Sequence, residues 1–264
     1  MTKYVALLIG VIAILSCKTN NAVDVDNGSI ALASLNFENS NHDPWESQYN
    51  ARNFEVVTDL DPRINKCGMF QLFEGEDYWT SPSSGIKTAR SEIQLPNSGR
   101  CHSTMFYGWD FKISDEYAES DEWQIIGQFH DQPDATAGET WQNYPAHSPP
   151  LAIKYKNGKV IIAVYSWDTN GVMDIASVGI AKGLWNTIKI KTHWSTGSDG
   201  SVEVWLNGLK MQAADGQSVY TGRNCFNKAC NYLKIGLYRD TSITTKGIVY
   251  FDNIVSSFDE TALE

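Results

Sequence analysis

The segment "LAIKYKNGKVIIAVYS", residues 151–166, decides the fold class. Two strand-like runs flank Asn157-Gly158, and an Asn-Gly pair between such runs is the strongest short-range signal for a β-hairpin. A second pair, Asn207-Gly208, follows the strand-like run "SVEVWL". The sequence therefore predicts antiparallel strand pairing at two separate places.

The remainder of the chain continues this pattern. β-rich segments recur from residue 34 onward, and no stretch keeps helical periodicity with capping residues over three turns. We therefore predict an all-β protein, an antiparallel β-sandwich of the β-jelly-roll type with an open concave cleft. Its longest polar interruption, residues 131–150, has a length typical of functional loops.

The first residues, "MTKYVALLIGVIAILSC", combine a basic start, an apolar run and a Ser-Cys ending. Residues 1–16 are predicted to be a signal peptide. Because "ILSC" is similar to a bacterial lipobox, we expect Cys17 to carry lipid and residues 17–33 to form a polar tether; a plain signal peptide is the alternative. The prediction is an exported bacterial lipoprotein, at the outer membrane, the cell surface or in the periplasm. Its single folded domain, residues 34–264, would touch the membrane only through the anchor.

Four cysteines remain beyond Cys17: Cys67, Cys101, Cys225 and Cys230. An even number in an exported protein favours disulfides, and of the three possible pairings we favour Cys225 with Cys230 and Cys67 with Cys101. Zinc is the rival interpretation. It is disfavoured because the chain has no CxxC motif and no histidine close to Cys225 or Cys230 in sequence.

The charge balance limits the partners. The net charge is −10, from 31 acidic and 21 basic residues. This balance argues against nucleic acid and against a densely sulfated polyanion held by general electrostatics, although a local basic cleft remains possible. We expect a monomer.

Three strand-like segments carry a distinctive polar face: "ARSEIQL" (89–95), "WQIIGQFHD" (123–131) and "NYLKIGLYRD" (231–240). Side chains alternate between the two faces of a strand. One predicted face is apolar or small and comprises Ala89, Ser91, Ile93, Leu95, Ile125, Gly127, Phe129, Leu233, Ile235 and Leu237. The other comprises Arg90, Glu92, Gln94, Gln124, Ile126, Gln128, His130, Tyr232, Lys234, Gly236 and Tyr238.

Ordinary solvated faces carry Lys, Glu, Thr and Ser, whereas Arg, Gln, His and Tyr dominate here. Each residue alone has a structural explanation: Arg90 as an ion pair with Glu92, His130 as a satisfied histidine, Tyr238 as packing. In combination they favour a carbohydrate cleft. Gly236 would leave room there for a sugar ring.

These motifs resemble a known family. "TARSEI", "GQFHD" and "YLKIGLYRD", in this order, are similar to the strands of the jelly-roll polysaccharide lyases, namely heparin lyase I, glucuronan lyase and, more distantly, the alginate lyases. The resemblance runs from about residue 34 to 258 and includes "SPPLAI" and "VEVWLNG". It implies an enzyme that cleaves an anionic, uronic-acid-containing polysaccharide by β-elimination. In the resembled families the histidine and tyrosine matching His130 and Tyr238 form the catalytic pair.

β-Elimination removes the proton at C5 of a uronate and expels the oxygen at C4. Arg90 and Gln128 can neutralise the sugar carboxylate, His130 can act as base, and Tyr238 can protonate the departing oxygen. Lys234 is expected to clamp a carboxylate at a neighbouring subsite, since four residues along a strand span roughly 13 Å. Glu92, Gly236 and Tyr232 complete the predicted substrate-binding set.

The choice of base depends on the substrate. In β-glucuronate or mannuronate, H5 and O4 lie on the same face of the ring, and Tyr238 alone could serve both atoms. In guluronate or iduronate they lie on opposite faces, which calls for both His130 and Tyr238. An acidic chain favours unsulfated polymers, so we expect glucuronan first, alginate second, and heparin or heparan sulfate third.

Two other protein classes are considered. A non-catalytic carbohydrate-binding jelly roll would suit the nine tryptophans, although it leaves the cluster of Arg, Gln, His and Tyr unexplained. A glycoside hydrolase needs two carboxylates at close spacing, and no strand supplies them. We expect no cofactor for catalysis. Because some of the resembled enzymes carry a structural calcium ion, the resemblance makes such an ion possible here, with Glu38 and Asp252 as candidate ligands; the alternative is that both are solvated acids at strand ends.

Overall fold

The computed structural model describes residues 23–24, 30–40, 42–73, 79–80, 85, 87–96, 98–213, 216–217 and 219–264. The predicted signal peptide and Cys17 lie outside these residues. Three short 3₁₀ helices occur in the described part, at Ala51–Asn53, Ala135–Ala137 and Glu260–Leu263. No helix within the described ranges is long and apolar enough to cross a membrane.

The strands form two antiparallel sheets. The outer sheet contains β1 (Val23–Asp24), β2 (Ile30–Leu35), β4 (Phe54–Thr58), β5 (Lys66–Leu72), β8 (Ser103–Ile113), β13 (Trp185–Trp194), β14 (Ser201–Leu206), β15 (Leu209–Lys210), β16 (Tyr220–Thr221) and β18 (Gly247–Ser257). The cleft sheet contains β3 (Glu46–Gln48), β6 (Trp79–Thr80), β7 (Lys87–Leu95), β9 (Gln124–Asp131), β10 (Leu151–Lys156), β11 (Lys159–Ser166), β12 (Gly171–Gly179) and β17 (Asn231–Arg239).

The order of strands confirms the predicted fold. The cleft sheet runs β12-β11-β10-β9-β17-β7-β3, and the main path of the outer sheet runs β1-β2-β18-β8-β13-β14-β15. Strands that are distant in sequence are therefore neighbours in each sheet. Such long-range antiparallel pairing between two packed sheets is the jelly-roll form of the β-sandwich.

Both Asn-Gly pairs form the predicted hairpin turns. Asn157 and Gly158 join β10 to β11 with φ angles of 49° and 71°. Asn207 and Gly208 join β14 to β15 with φ angles of 51° and 78°. Positive φ at both central positions matches the right-handed twist of the flanking strands, which explains the choice of Asn and Gly.

Large side chains fill the space between the sheets. Trp109, Trp194, Tyr107 and Phe129 are all buried there. Of the three polar groups among them, Tyr107 Oη donates to the Ser98 main-chain oxygen at 2.8 Å and Trp194 Nε1 donates to Tyr107 Oη at 2.9 Å. The third, Trp109 Nε1, is buried without a hydrogen-bond partner among the described residues. Each fully buried large apolar side chain contributes about 1.5–3 kcal/mol, so this layer holds the cleft sheet rigidly in place.

A β-bulge in β9 corrects part of the predicted alternation. The register shifts against both neighbouring strands, so that Ile125 pairs with Tyr238 and Lys154. Ile126 belongs to the buried core, and Gln124 turns inward to accept a hydrogen bond from the core tyrosine Tyr117. The prediction of Gln124 and Ile126 on the cleft side and Ile125 inside was therefore wrong, because one extra residue exchanges the two faces of a strand.

The predicted tether ends earlier than expected. Residues 30–33 belong to β2, which pairs with β18 of the outer sheet. The folded part of the chain therefore begins before residue 34.

The pairing of Cys67 with Cys101 was wrong. Cys67 is buried in β5, where Asp59, Lys112 and Asp252 are the charged groups around it. Cys101 instead lies with Cys225 and Cys230, and the three sulfur atoms are within 4.8 Å of one another. The Cys225 and Cys230 sulfurs are 2.9 Å apart without a bond in this structure, so that disulfide stays a prediction.

Candidate active site

Strand β17 lies between β9 and β7 and brings the predicted site residues together. Tyr232 is the register partner of His130, and Lys234 is the partner of Gln128 on β9. On its other side, Gly236 faces Glu92 and Tyr238 faces Arg90 of β7. All eight predicted residues therefore lie on three adjacent strands of the cleft sheet.

Arg90 contacts three other side chains at the Tyr238 end of this surface. Its guanidinium carbon lies 4.1 Å from the centre of the Tyr238 ring. Its Nε is 3.1 Å from Oε2 of Glu92, and its Nη1 donates to Oε1 of Gln48 at 2.7 Å. The ion pair with Glu92 is thus present, within one strand, and it holds the guanidinium against the phenol ring.

Glu92 also fixes Gln128. The Glu92 side chain is fully buried, and its Oε1 accepts a hydrogen bond from Gln128 Nε2 at 2.6 Å. Because a carboxylate only accepts, the amide nitrogen of Gln128 must face Glu92. The Gln128 Oε1 atom is buried without a protein partner, which marks a place for a donor from a ligand or water.

Lys234 lies in the middle of the surface and is 2% exposed. Its ammonium group donates to Gln48 Oε1 at 3.1 Å and lies 5.2 Å from the centre of the Tyr232 ring. Burial, together with the positive charge of Arg90, lowers the pKa of Lys234 to about 7. Its charge state therefore responds to pH near neutrality.

Gln48 bridges Arg90 and Lys234, and no sequence motif identifies it. It lies on β3, a strand of three residues, which is too short for alternation to be recognised. Its position beside β7 arises from long-range pairing, with Gln48 opposite Glu92.

His130 marks the other end of the surface. Its Nδ1 lies 2.6 Å from the main-chain oxygen of Asp131, and its ring centre is 5.5 Å from that of Tyr232. Burial and the nearby charge of Lys234 hold the pKa of His130 well below its usual range. The imidazole is therefore neutral at neutral pH and can accept a proton.

Two exposed tryptophans flank this polar surface. Trp123 packs edge-on against Tyr238 with ring centres 4.8 Å apart, and Trp141 lies 6.3 Å from His130. They are 38% and 56% exposed, respectively. Indole faces suit sugar rings, but the sequence alone did not single out these two among nine tryptophans.

The expected role of Gly236 is corrected by its geometry. A Cβ atom at this position would lie 2.2 Å from the Ser91 main-chain oxygen and 2.7 Å from the Glu92 Cα atom. The residue also has φ of +140°, which L side chains rarely adopt. Gly236 is therefore required by the close approach of β17 to β7, not by a sugar ring.

Gly236→Ala should accordingly destabilise the fold, with a loss of about 3 kcal/mol or more in the free energy of unfolding, from backbone strain and overpacking. Gly138→Ala is the control, because Gly138 has φ of +78° and nothing within 4 Å of an added Cβ. It should lose only about 1 kcal/mol. Denaturant unfolding of both variants gives the comparison. Equal losses would contradict the close-approach explanation.

Of the candidate calcium ligands, Asp252 lies in β18 of the outer sheet and Glu38 in the turn that follows β2. Asp252 is buried opposite Asp110 of β8, and its Oδ1 atom has no protein partner. Burial and the negative charges of Asp110 and Glu38 raise the pKa of Asp252 to about 8. An unpartnered buried carboxylate oxygen suits a hard divalent cation, and the nearby Glu38 and Asp110 oxygens accept hydrogen bonds from Asn65, Lys66, Thr187 and Asn253.

A sheet face that combines a stacked arginine, buried amides, a neutral histidine and flanking exposed indoles is typical of proteins that act on carbohydrates. A family model described as polysaccharide lyase matches residues 37–255. This chain belongs to the polysaccharide lyase family and is an enzyme, as the three strand motifs predicted. A comparison with curated protein sequences found no match.

Solved structures share the fold. The endo-β-1,4-glucuronan lyase from the fungus Trichoderma reesei is similar with a TM-score of 0.60 and 13% identity, covering 81% of this chain and 91% of that one. Alginate lyase A1-II′, a member of polysaccharide lyase family 7, has a TM-score of 0.51 at 18% identity, covering 79% and 84%. Alginate lyase AlyC3 has a TM-score of 0.51 at 10% identity, covering 78% of each chain.

Proposed function

We propose that this lyase cleaves an unsulfated polyuronate by β-elimination and that glucuronan is its preferred substrate. The observation that carries the proposal is the placement of His130 and Tyr238 on the same face of the same sheet. His130 lies opposite Tyr232, six residues along β17 from Tyr238, so the proposed reaction requires the His130 and Tyr238 side chains to converge over one face of a single sugar ring. This suits uronates whose H5 and O4 share a face, as in β-glucuronate.

The proposed reaction uses the groups in these positions. Nε2 of His130 takes the C5 proton, the C5–H electron pair forms the C4=C5 double bond, and the C4–O bond breaks. The Tyr238 hydroxyl gives its proton to the departing oxygen, and water then restores both side chains. Arg90 stabilises the carboxylate as negative charge develops on it.

Alginate rich in mannuronate is the second substrate, because mannuronate has the same arrangement of H5 and O4. Heparin or heparan sulfate ranks third. Arg90 and Lys234 are accompanied by the buried acids Glu92 and Asp131, so the site has little excess positive charge for sulfate groups. The net charge of −10 also disfavours binding of a densely sulfated polymer.

Ultraviolet absorbance tests the proposal, because β-elimination alone creates a C4=C5 bond conjugated to the carboxylate. Purified protein is incubated separately with glucuronan, polymannuronate, polyguluronate and heparin. The fastest rise is expected with glucuronan. A rise confined to polyguluronate or heparin would contradict the proposed substrate, and no rise with any uronate would contradict the elimination itself.

The pH dependence of substrate binding tests the role proposed for Lys234. Its ammonium form must bind a sugar carboxylate, and its pKa is lowered to about 7, so the ammonium population falls as pH rises above 7. KM should therefore increase by up to about tenfold per pH unit above 7. Lys234→Met should raise KM at pH 6 and remove this slope. Lys154→Met is the control, since Lys154 lies on the same sheet but pairs with Asp174. If KM of Lys234→Met still rises with pH above 7, Lys234 does not bind the sugar carboxylate.

Glu38, Asp110 and Asp252 are proposed to hold a structural calcium ion, which would neutralise the buried carboxylate of Asp252. Because the pKa of Asp252 is raised to about 8 in the folded state, its ionisation costs stability as pH rises from about 4 through 8. Calcium at a hundredfold excess over Kd should raise Tm at pH 8 by about 5 °C or more.

The Asp252→Asn variant separates calcium binding from simple burial of an acid. It should lose the response of Tm to calcium. If calcium leaves the wild-type Tm unchanged while Asp252→Asn raises it at pH 8, Asp252 is only a buried acid and the calcium site is wrong.

A further inference from the structure

A buried carboxylate lies between two histidines at the end of β9. Asp131 is 1% exposed, and its Oδ2 atom lies 2.9 Å from Nδ1 of His147. Its Oδ1 atom lies 3.4 Å from Nδ1 of His130. The reaction proposed above uses His130 and assigns nothing to Asp131 or His147.

The contacts fix the position of the ring hydrogens. Nδ1 of His130 lies 2.6 Å from the main-chain oxygen of Asp131. Since a carbonyl oxygen can only accept, Nδ1 of His130 must carry the hydrogen, and the lone pair of the neutral ring is then on Nε2. By the same argument, Nδ1 of His147 carries a hydrogen and donates to the Asp131 carboxylate.

We infer that Asp131 is a positioning residue for the elimination: its main-chain oxygen holds His130 in the Nδ1–H tautomer, with Nε2 free to take the C5 proton, and its carboxylate, kept in place by His147, supplies the negative charge beside the ring. The inference rests on the proposed function. It assigns to Asp131 the part that a buried acid beside a catalytic histidine plays elsewhere, which is to set the tautomer and stabilise the imidazolium.

The charges around His130 show why an anion is needed. Lys234 on β17, Arg90 on β7 and His147 in the loop all oppose a positive charge on His130. Asp131 is the anion adjacent to the ring. Without it, the imidazolium formed during the reaction would face positive groups in a buried setting, so proton transfer to His130 would be less favourable.

The loop that follows β9 is built to hold His147. The His147 ring stacks on Phe226 with centres 3.8 Å apart and packs edge-on against Tyr144 at 5.5 Å. The loop is anchored separately by Asn227, which donates to Glu139 at 2.7 Å. His147 therefore has a fixed ring plane from which it can hold the carboxylate of Asp131.

The test begins with ¹⁵N-histidine NMR of the intact wild-type chain, which has five histidines, with the His130→Gln spectrum used for assignment. Wild-type His130 should be neutral and in the Nδ1–H tautomer across pH 6–8. An Nε2–H tautomer would overturn the inference, and the tautomer is read from the wild-type chain without any measurement of activity.

Kinetics of Asp131→Asn provide the second readout. Losing the anion should lower kcat by about 10–100-fold with KM little changed, in line with other outer-shell partners of functional histidines. The acidic limb of the pH–rate profile should move to lower pH, because the His130 imidazolium has lost its stabilising charge. His147→Gln, whose amide can still donate to Asp131, should keep the wild-type limb.

Asp134→Asn is the matched control, because Asp134 is another buried acid of this segment and its carboxylate accepts hydrogen bonds from the main-chain N–H and the hydroxyl of Thr136. The Asp134→Asn variant should keep the wild-type kcat and the wild-type acidic limb of the pH–rate profile. An Asp131→Asn variant with an unmoved limb would overturn the inference. If the wild type shows no elimination on any uronate, the proposed function fails instead, and the tautomer still decides the positioning of His130.

Discussion

Tyr238→Phe should lower kcat by a factor of roughly 10² or more while leaving KM and Tm nearly unchanged. The phenylalanine ring keeps the contacts with Arg90 and Trp123, which both involve the ring rather than the hydroxyl. Only the proton for the departing oxygen is lost. Initial rates and thermal midpoints of the purified variant are the measurement.

Tyr165→Phe is the matched control for this change. Tyr165 lies on the same sheet, and its hydroxyl donates to Asn170. Its loss should leave kcat unchanged. An active Tyr238→Phe enzyme would show that Tyr238 is a structural residue and that another group protonates O4.

Arg90→Ala should reduce kcat/KM by about 10²–10³, comparable to the loss of an oxyanion-stabilising donor, because the sugar carboxylate would no longer be neutralised as charge develops on it. The single variant has a second effect, however. It leaves the fully buried Glu92 carboxylate without its positive partner, which typically costs 3–5 kcal/mol of stability.

The double variant Arg90→Ala with Glu92→Gln separates these effects, because the neutral amide needs no counter-charge. It should keep a Tm close to that of the wild type and still show the loss in kcat/KM. Arg63→Ala is the surface control, since Arg63 is exposed and pairs with Asp61 in the turn between β4 and β5. A well-folded double variant with wild-type kcat/KM would exclude Arg90 from catalysis.

The fold and much of the site could be predicted from local patterns. Hairpin turns need Asn-Gly, and three strands with an Arg, Gln, His and Tyr face identified the surface where the residues meet. Strand alternation needs only neighbours in sequence, so His130, Lys234 and Tyr238 were placed on the correct sheet face.

What could not be predicted depends on contacts between distant segments. Gln48 joins Arg90 to Lys234 only because β3 pairs with the edge of β7. Cys101 meets Cys225 and Cys230 because long-range packing brings the three segments together, and cysteine spacing carries no such information. The role of Gly236 was misjudged because the distance between two neighbouring backbones is invisible in one strand.

The bulge in β9 decides which of the side chains that precede Gln128 face the polysaccharide. Between Trp123 and Gln128 the chain contains one residue more than a regular ladder needs. Pairing the same residues without the bulge would exchange the environments of the preceding side chains, turning the Gln124 amide toward the polysaccharide and Ile125 toward the core. Strand exchange between this enzyme and other jelly-roll lyases must therefore conserve the bulge itself, because a segment of equal length without it would present the opposite side chains.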